Sequence, residues 1–174
     1  MICRIFYFVS IFITFFTTSC KSQSTEATSN TQDSTLIPGW NLVWSDEFNY
    51  TGLLDPKKWG YDVAAPGWVN HEAQAYHENR LDNSRIENGK LIIEARLDNY
   101  KNYLYSSARL VTKNRGDWTY GRFEIRAKFP YGKGTWPAIW MLPTVWNLGN
   151  GSWPDNGEID IMEMIGGSNR ENTT

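Results

Sequence analysis

The sequence predicts an all-β domain, and three observations carry that reading. No stretch holds a helical period, turn-forming residues recur about every ten residues from Trp40 onward, and Gly121 to Phe129 alternates apolar and charged side chains. In that last run Phe123, Ile125, Ala127 and Phe129 take one face while Arg122, Glu124, Arg126 and Lys128 take the other, the pattern of a half-buried antiparallel strand. Between Arg85 and Arg96 the pair Asn88-Gly89 separates two strand-like runs, which predicts a hairpin closed by a type I′ turn. Asn41 to Trp44 reads as a first strand, and Tyr103 to Lys113 as another.

Ahead of the domain the composition is different. A single positive residue, Arg4, precedes the apolar run Ile5 to Phe16, which is too short to span a bilayer. With Thr17-Thr18-Ser19-Cys20 behind it, the segment 1–20 reads as a secretory signal and is set aside from fold reasoning. The pair Ser19-Cys20 resembles a bacterial lipobox, which implies lipidation of Cys20; Thr17 stands where leucine is usual, so a plain signal peptide is the alternative. Cys3 and Cys20 are the only cysteines, which leaves the exported domain without a disulfide and gives a lipidated Cys20 a use. The expectation is an exported protein: a bacterial outer-membrane lipoprotein, otherwise secreted or periplasmic. Residues 21–38 are rich in Ser, Thr, Asn and Gln and read as a disordered tether with a reach on the order of 24 Å.

The domain itself is assigned to 39–174. Its core must come from packing, for which nine tryptophans are well suited. A net charge of −2 with no basic patch argues against nucleic acid and against strong attraction to anionic lipid. His71 and His77, the two histidines, lack a cysteine or carboxylate set at ligand spacing and are not read as a metal site.

The chemistry-bearing stretch is Gly157-Glu158-Ile159-Asp160-Ile161-Met162-Glu163. Alternation puts Glu158 and Asp160 on one strand face, with Ile159 and Ile161 on the other. Glu163 has the opposite parity unless one extra residue is absorbed in a β-bulge around Ile161-Met162. A solvated strand face that is merely acidic is the alternative. It is disfavoured because two carboxylates about 7 Å apart repel by roughly 0.6 kcal/mol in water and about 2.4 kcal/mol at an effective dielectric of 20.

This stretch matches the Glu-x-Asp-x-x-Glu active-site strand of glycoside hydrolase family 16 in its bulged form, and the chain resembles the laminarinase-like, endo-β-1,3-glucanase branch. The resemblance extends to Trp44-Ser45-Asp46-Glu47-Phe48, to the segment from Gly67 to Tyr76, to Ser107-Ala108-Arg109-Leu110 and to the segment from Gly134 to Leu142. It implies a β-jelly-roll sandwich of the concanavalin A-like kind, with a cleft across its concave sheet. It also implies retaining endo-hydrolysis of β-1,3-glucan, with Glu158 as nucleophile, Glu163 as general acid and base, and Asp160 between them holding Glu158 in place. Asn70, Arg109, Trp136 and Trp140 are the implied substrate-binding residues. A structural calcium on Glu47 and the Gly89 carbonyl is a further implication, although no set of six to eight oxygens is visible in the sequence. No cofactor is required for the chemistry, and the protein is expected to act as a monomer on a polysaccharide.

Alternatives stay open at this stage. The bulged motif also resembles agarases, porphyranases and carrageenases, and some relatives bind β-glucan without cleaving it, though those have lost catalytic carboxylates that this chain retains. A membrane-tethered structural lipoprotein is a third reading. Family domains continue through further strands after this point, so the expectation is that the sandwich is incomplete at the C-terminus and that the chain is a fragment of a longer protein.

Overall fold

The computed structural model describes residues 38–167. The chain divides into two units between Leu42 and Val43, and the account that follows is of the second. The signal segment, Cys20 and the tether through residue 37 lie outside the described residues.

Nine short strands are described: β1 Gly60–Asp62, β2 Gln74–Tyr76, β3 Ser84–Glu87, β4 Lys90–Ile93, β5 Arg96–Leu97, β6 Tyr105–Ser107, β7 Arg109–Val111, β8 Ala138–Met141 and β9 Ile159–Glu163. One 3₁₀ turn, Tyr100–Asn102, is the only helical element among the described residues. The expected hairpin is β3–β4, whose register pairs Ile86 with Leu91 and Glu87 with Lys90. Its turn holds Asn88 at φ 52° and Gly89 at φ 69°, the left-handed pair that a type I′ turn requires. β1 pairs antiparallel with β7, and β6 lies between a parallel β2 and an antiparallel β5.

The single strand expected over Tyr103 to Lys113 is two strands. β6 and β7 hydrogen-bond to different neighbours, and the chain changes sheet at the buried Ala108 between them. Asn41 to Trp44 and Gly121 to Phe129 are not strands among the described residues. Alternation specifies the two faces of an extended segment, but a ladder also needs a partner backbone within hydrogen-bonding distance. Positions 121–128 are exposed throughout.

Trp44 instead starts a chain of aromatic contacts. Its ring lies 5.5 Å from Trp59 and 5.7 Å from Trp118, and Trp118 lies 5.5 Å from Phe123, all edge to face. The Asp46 carboxylate, only 2% exposed, ties this region down. It accepts hydrogen bonds from Trp59 Nε1 at 2.8 Å, the Tyr50 hydroxyl at 3.2 Å and the Phe48 amide at 3.1 Å.

The fully buried centre is small and partly polar: Ala75 and Ile86 pack beside Asn83, Ser84 and Ser106. Arg80 organises those polar groups, donating to Asn83 Oδ1 at 2.6 Å, Ser106 Oγ at 2.8 Å and Asp98 Oδ2 at 2.7 Å. Asn83 Nδ2 completes the network by donating to the Glu94 carbonyl and Ser106 Oγ, both at 3.0 Å. Satisfying these donors and acceptors removes a desolvation penalty of about 1–3 kcal/mol for each group that would otherwise be left unpaired.

His77 borders this network, its ring edge-on to Tyr100 at 4.7 Å and its buried Nε2 without a hydrogen-bond partner among the described residues. Burial, then the positive charges of Lys101 and Arg80, hold the imidazole below its ordinary pKa of 6.5, with Asp98 opposing. The unfolded chain therefore takes up a proton that the folded protein refuses, and this contribution to stability is lost as the pH falls through about 6.5. His77→Gln should show a smaller drop in Tm between about pH 7.5 and 5.5 than the wild type; equal drops would place the pH sensitivity elsewhere.

Candidate active site

The site is built on the β8–β9 ladder. Its register pairs Ala138 with Glu163, Ile139 with Met162, Trp140 with Asp160 and Met141 with Ile159. Ile161 is therefore the extra residue of a β-bulge. Directly opposed residues share a sheet face, so Trp140, Asp160, Ala138 and Glu163 lie together, while Met141, Ile139, Ile159 and Met162 face the other way. Glu158, two residues before Asp160, continues the same parity into the strand. A regular ladder would have turned Glu163 to the apolar face.

Two indoles fix the outer carboxylates. Trp136 Nε1 donates to Glu163 Oε1 at 2.8 Å, and Trp153 Nε1 donates to Glu158 Oε2 at 2.9 Å. Trp136 was a candidate from the sequence. Trp153 was not singled out, because its loop offers no periodicity from which to read a direction. The loop is pinned by the buried Asn156, whose Oδ1 accepts from the Leu148 backbone N–H at 3.0 Å and whose backbone N–H donates to the Ser152 carbonyl at 2.8 Å. Gly157 follows at φ 85°, a left-handed turn into the strand that a side chain would strain.

Arg109 stands against the same face. Its guanidinium carbon lies 4.5 Å from the Trp140 ring centroid and 4.9 Å from that of Trp68, within the range of cation–π attraction. Nearby, Tyr76 donates its hydroxyl proton to Glu72 Oε2 at 2.6 Å. Gln74 Nε2 donates to the same carboxylate oxygen at 3.0 Å and to the Tyr76 hydroxyl at 2.8 Å. Burial first, and then the hydrogen bond to Glu72, push the Tyr76 phenol up to about 12, so it stays a donor at any working pH.

Other candidates fall differently. Asn70 is exposed in a turn at φ 50°, and His71 follows at φ 55°. Residues 69–73 therefore do not alternate as a strand, and regular pairing begins only at Gln74. Glu47 is exposed and Gly89 sits in the hairpin turn. Among the described residues no three His, Cys, Asp or Glu side chains come together to hold a metal. Glu47 therefore does not have two further acidic side chains beside it, among the described residues, to lead a calcium site.

Comparison with known proteins gives a consistent picture. The sequence profile described as Glycosyl hydrolases family 16 matches residues 70–174. A β-glucanase of Rhodothermus marinus is 60% identical over 129 residues, covering 74% of this chain and 45% of that protein. A glucan endo-1,3-β-glucosidase of Cryptopygus antarcticus is 43% identical over 132 residues, covering 73% and 47%. The X-ray structure of the Rhodothermus marinus laminarinase superposes with a TM-score of 0.71 at 59% identity, covering 75% of this chain and 52% of that one. The chain thus spans about half the length of these relatives.

Deleting Ile161 should remove the bulge and leave Asp160, Met162 and Glu163 in regular alternation, so that Glu163 stays on the face of Asp160 and keeps its bond to Trp136. In a ¹H–¹⁵N spectrum the Trp136 indole N–H resonance should stay near its wild-type position; movement to that of a free indole would mean that Ile161 is not the extra residue of the ladder.

Proposed function

The chain belongs to glycosyl hydrolase family 16, and on that premise we propose that it supplies the catalytic strand of an enzyme hydrolysing β-1,3-glucan internally with retention of configuration. Its fold is the all-β jelly-roll sandwich of its structural relatives. The observation that carries the functional reading is the bulge at Ile161, which brings Asp160 and Glu163 onto one face with Trp140.

In the proposed reaction Glu158 attacks the anomeric carbon as the glycosidic C–O bond breaks, and Glu163 gives its proton to the leaving oxygen. Water then opens the glycosyl ester on Glu158, its proton passing to Glu163, and the second inversion restores the starting configuration. Asp160, between the two on the same face, restrains Glu158. Trp136 and Trp140 offer flat apolar surface to the C–H faces of sugar rings. Arg109 and the Asn70 amide supply polar atoms for hydroxyls. Nothing in this scheme calls on a cofactor. The names of the Rhodothermus and Cryptopygus relatives support β-1,3-glucan over the galactans.

Glu158→Gln should lower turnover of laminarin by on the order of 10³-fold or more while laminarin binding stays within about tenfold. Undiminished turnover would remove Glu158 from the mechanism, and a wild type that binds laminarin without cleaving it would favour a glucan-binding protein. The proposal extends to location: export, with a lipid on Cys20 holding the protein at a membrane, as the Ser19-Cys20 pair suggests. Cys20→Ser should move the protein from the membrane to the soluble fraction on cell fractionation; unchanged partitioning would remove the anchor.

A further inference from the structure

Asp62 and Arg109 are register partners across β1 and β7. Asp62 Oδ2 lies 3.1 Å from Arg109 Nε, and the arginine side chain is only 18% exposed. That Nε is buried without a well-directed hydrogen bond, so the pair is held by charge rather than by N–H geometry. The guanidinium lies against Trp68 and Trp140, and its Nε has no hydrogen-bond partner among the described residues.

Trp140 shares its face with Asp160 and Glu163, so the unbonded donors of Arg109 belong to the carboxylate side of the ladder. An uncompensated guanidinium in that place would select a carboxylate or sulfate on the substrate, by bidentate pairing. Asp62 cancels that preference. The carboxylates of this face are Glu158, Asp160 and Glu163, and Glu72 lies nearby, bonded to the neutral Tyr76 phenol.

We infer that Asp62 is a positioning residue: it holds Arg109 between Trp68 and Trp140 and neutralises it, so that the face accepts a neutral glucan and discriminates against the same backbone carrying anionic groups. The inference rests on the glucan reading above and names the charge class of its substrate. Without Asp62, Arg109 is a buried cation lacking its counter-charge, and it will shift toward solvent or toward an anion on the substrate.

The test compares laminarin with carboxymethylated laminarin in steady-state assays of the wild type, Asp62→Asn, Arg109→Gln and the double variant. For Asp62→Asn, KM on laminarin should rise about tenfold, more than kcat falls. The ratio of kcat/KM on the anionic polymer to that on the neutral one should rise about threefold or more, an effect that a merely structural role would not produce. The double variant should be no worse on laminarin than Arg109→Gln alone, because Asp62 acts through Arg109. Asp62→Glu keeps the charge on a longer arm, so it should raise KM while leaving the ratio at the wild-type value, and it carries the test if Asp62→Asn does not fold. An unchanged KM in either Asp62 variant, an unchanged ratio in Asp62→Asn, or additive losses in the double variant would overturn the inference. A wild type that cleaves another neutral polysaccharide instead of laminarin refutes the glucan reading alone, and the same ratio is then read on that polymer and its carboxymethyl derivative. Preference for an anionic polymer overturns both.

Discussion

A β-strand sends successive side chains to opposite faces, and the arrangement of this site depends on how the chain breaks that rule once. Glu158 and Asp160 obey the period of two; Glu163 reaches their face only because Ile161 is left unpaired against β8. The same bulge leaves Ile159 and Met162 opposite Met141 and Ile139 on the other face. One residue of slippage thus decides both which acids stand together and which apolar groups are available for packing.

The carboxylate face is held from outside the ladder. The indoles of Trp136 and Trp153 approach from the segments flanking β8 and β9 and donate to Glu163 and Glu158. Arg109 reaches the face from β7, a strand whose own ladder is with β1. Its placement rests in turn on the polar centre at Arg80, Asn83, Ser106 and Asp98, which fixes β6 immediately before it in the chain. Such a network directs structure because its members are costly to leave unpaired, so few arrangements of the chain satisfy them all.

The reverse face of the β8–β9 ladder is not covered among the described residues. Met141, Ile159 and Ile161, with Trp118, Tyr120 and Phe123, line an apolar groove of about 340 Å³. Ile159 is 63% exposed and Ile161 41%. Phe123 of this groove and Ile125 after it, which alternate as a strand should, have no ladder partner among the described residues. Apolar surface of this extent is ordinarily covered in a folded domain.

The sequence by itself determined the all-β class, the β3–β4 hairpin and the grouping of the three acids, because each is local. Alternation, the left-handed preference of Asn88-Gly89 and the parity of Glu158, Asp160 and Glu163 all act within a few residues of chain. It also indicated that a bulge was needed, since five positions cannot share a face otherwise. Tertiary structure alone decided the rest. That Gly121 to Phe129 finds no ladder partner among the described residues, that Tyr103 to Lys113 splits at Ala108, that Trp68 and Asp62 meet Arg109 and that Trp153 meets Glu158 depend on which backbones and side chains come together across the fold. Hydrogen-bonding partners and ion pairs between distant segments are set by packing, and no local period in the chain encodes them.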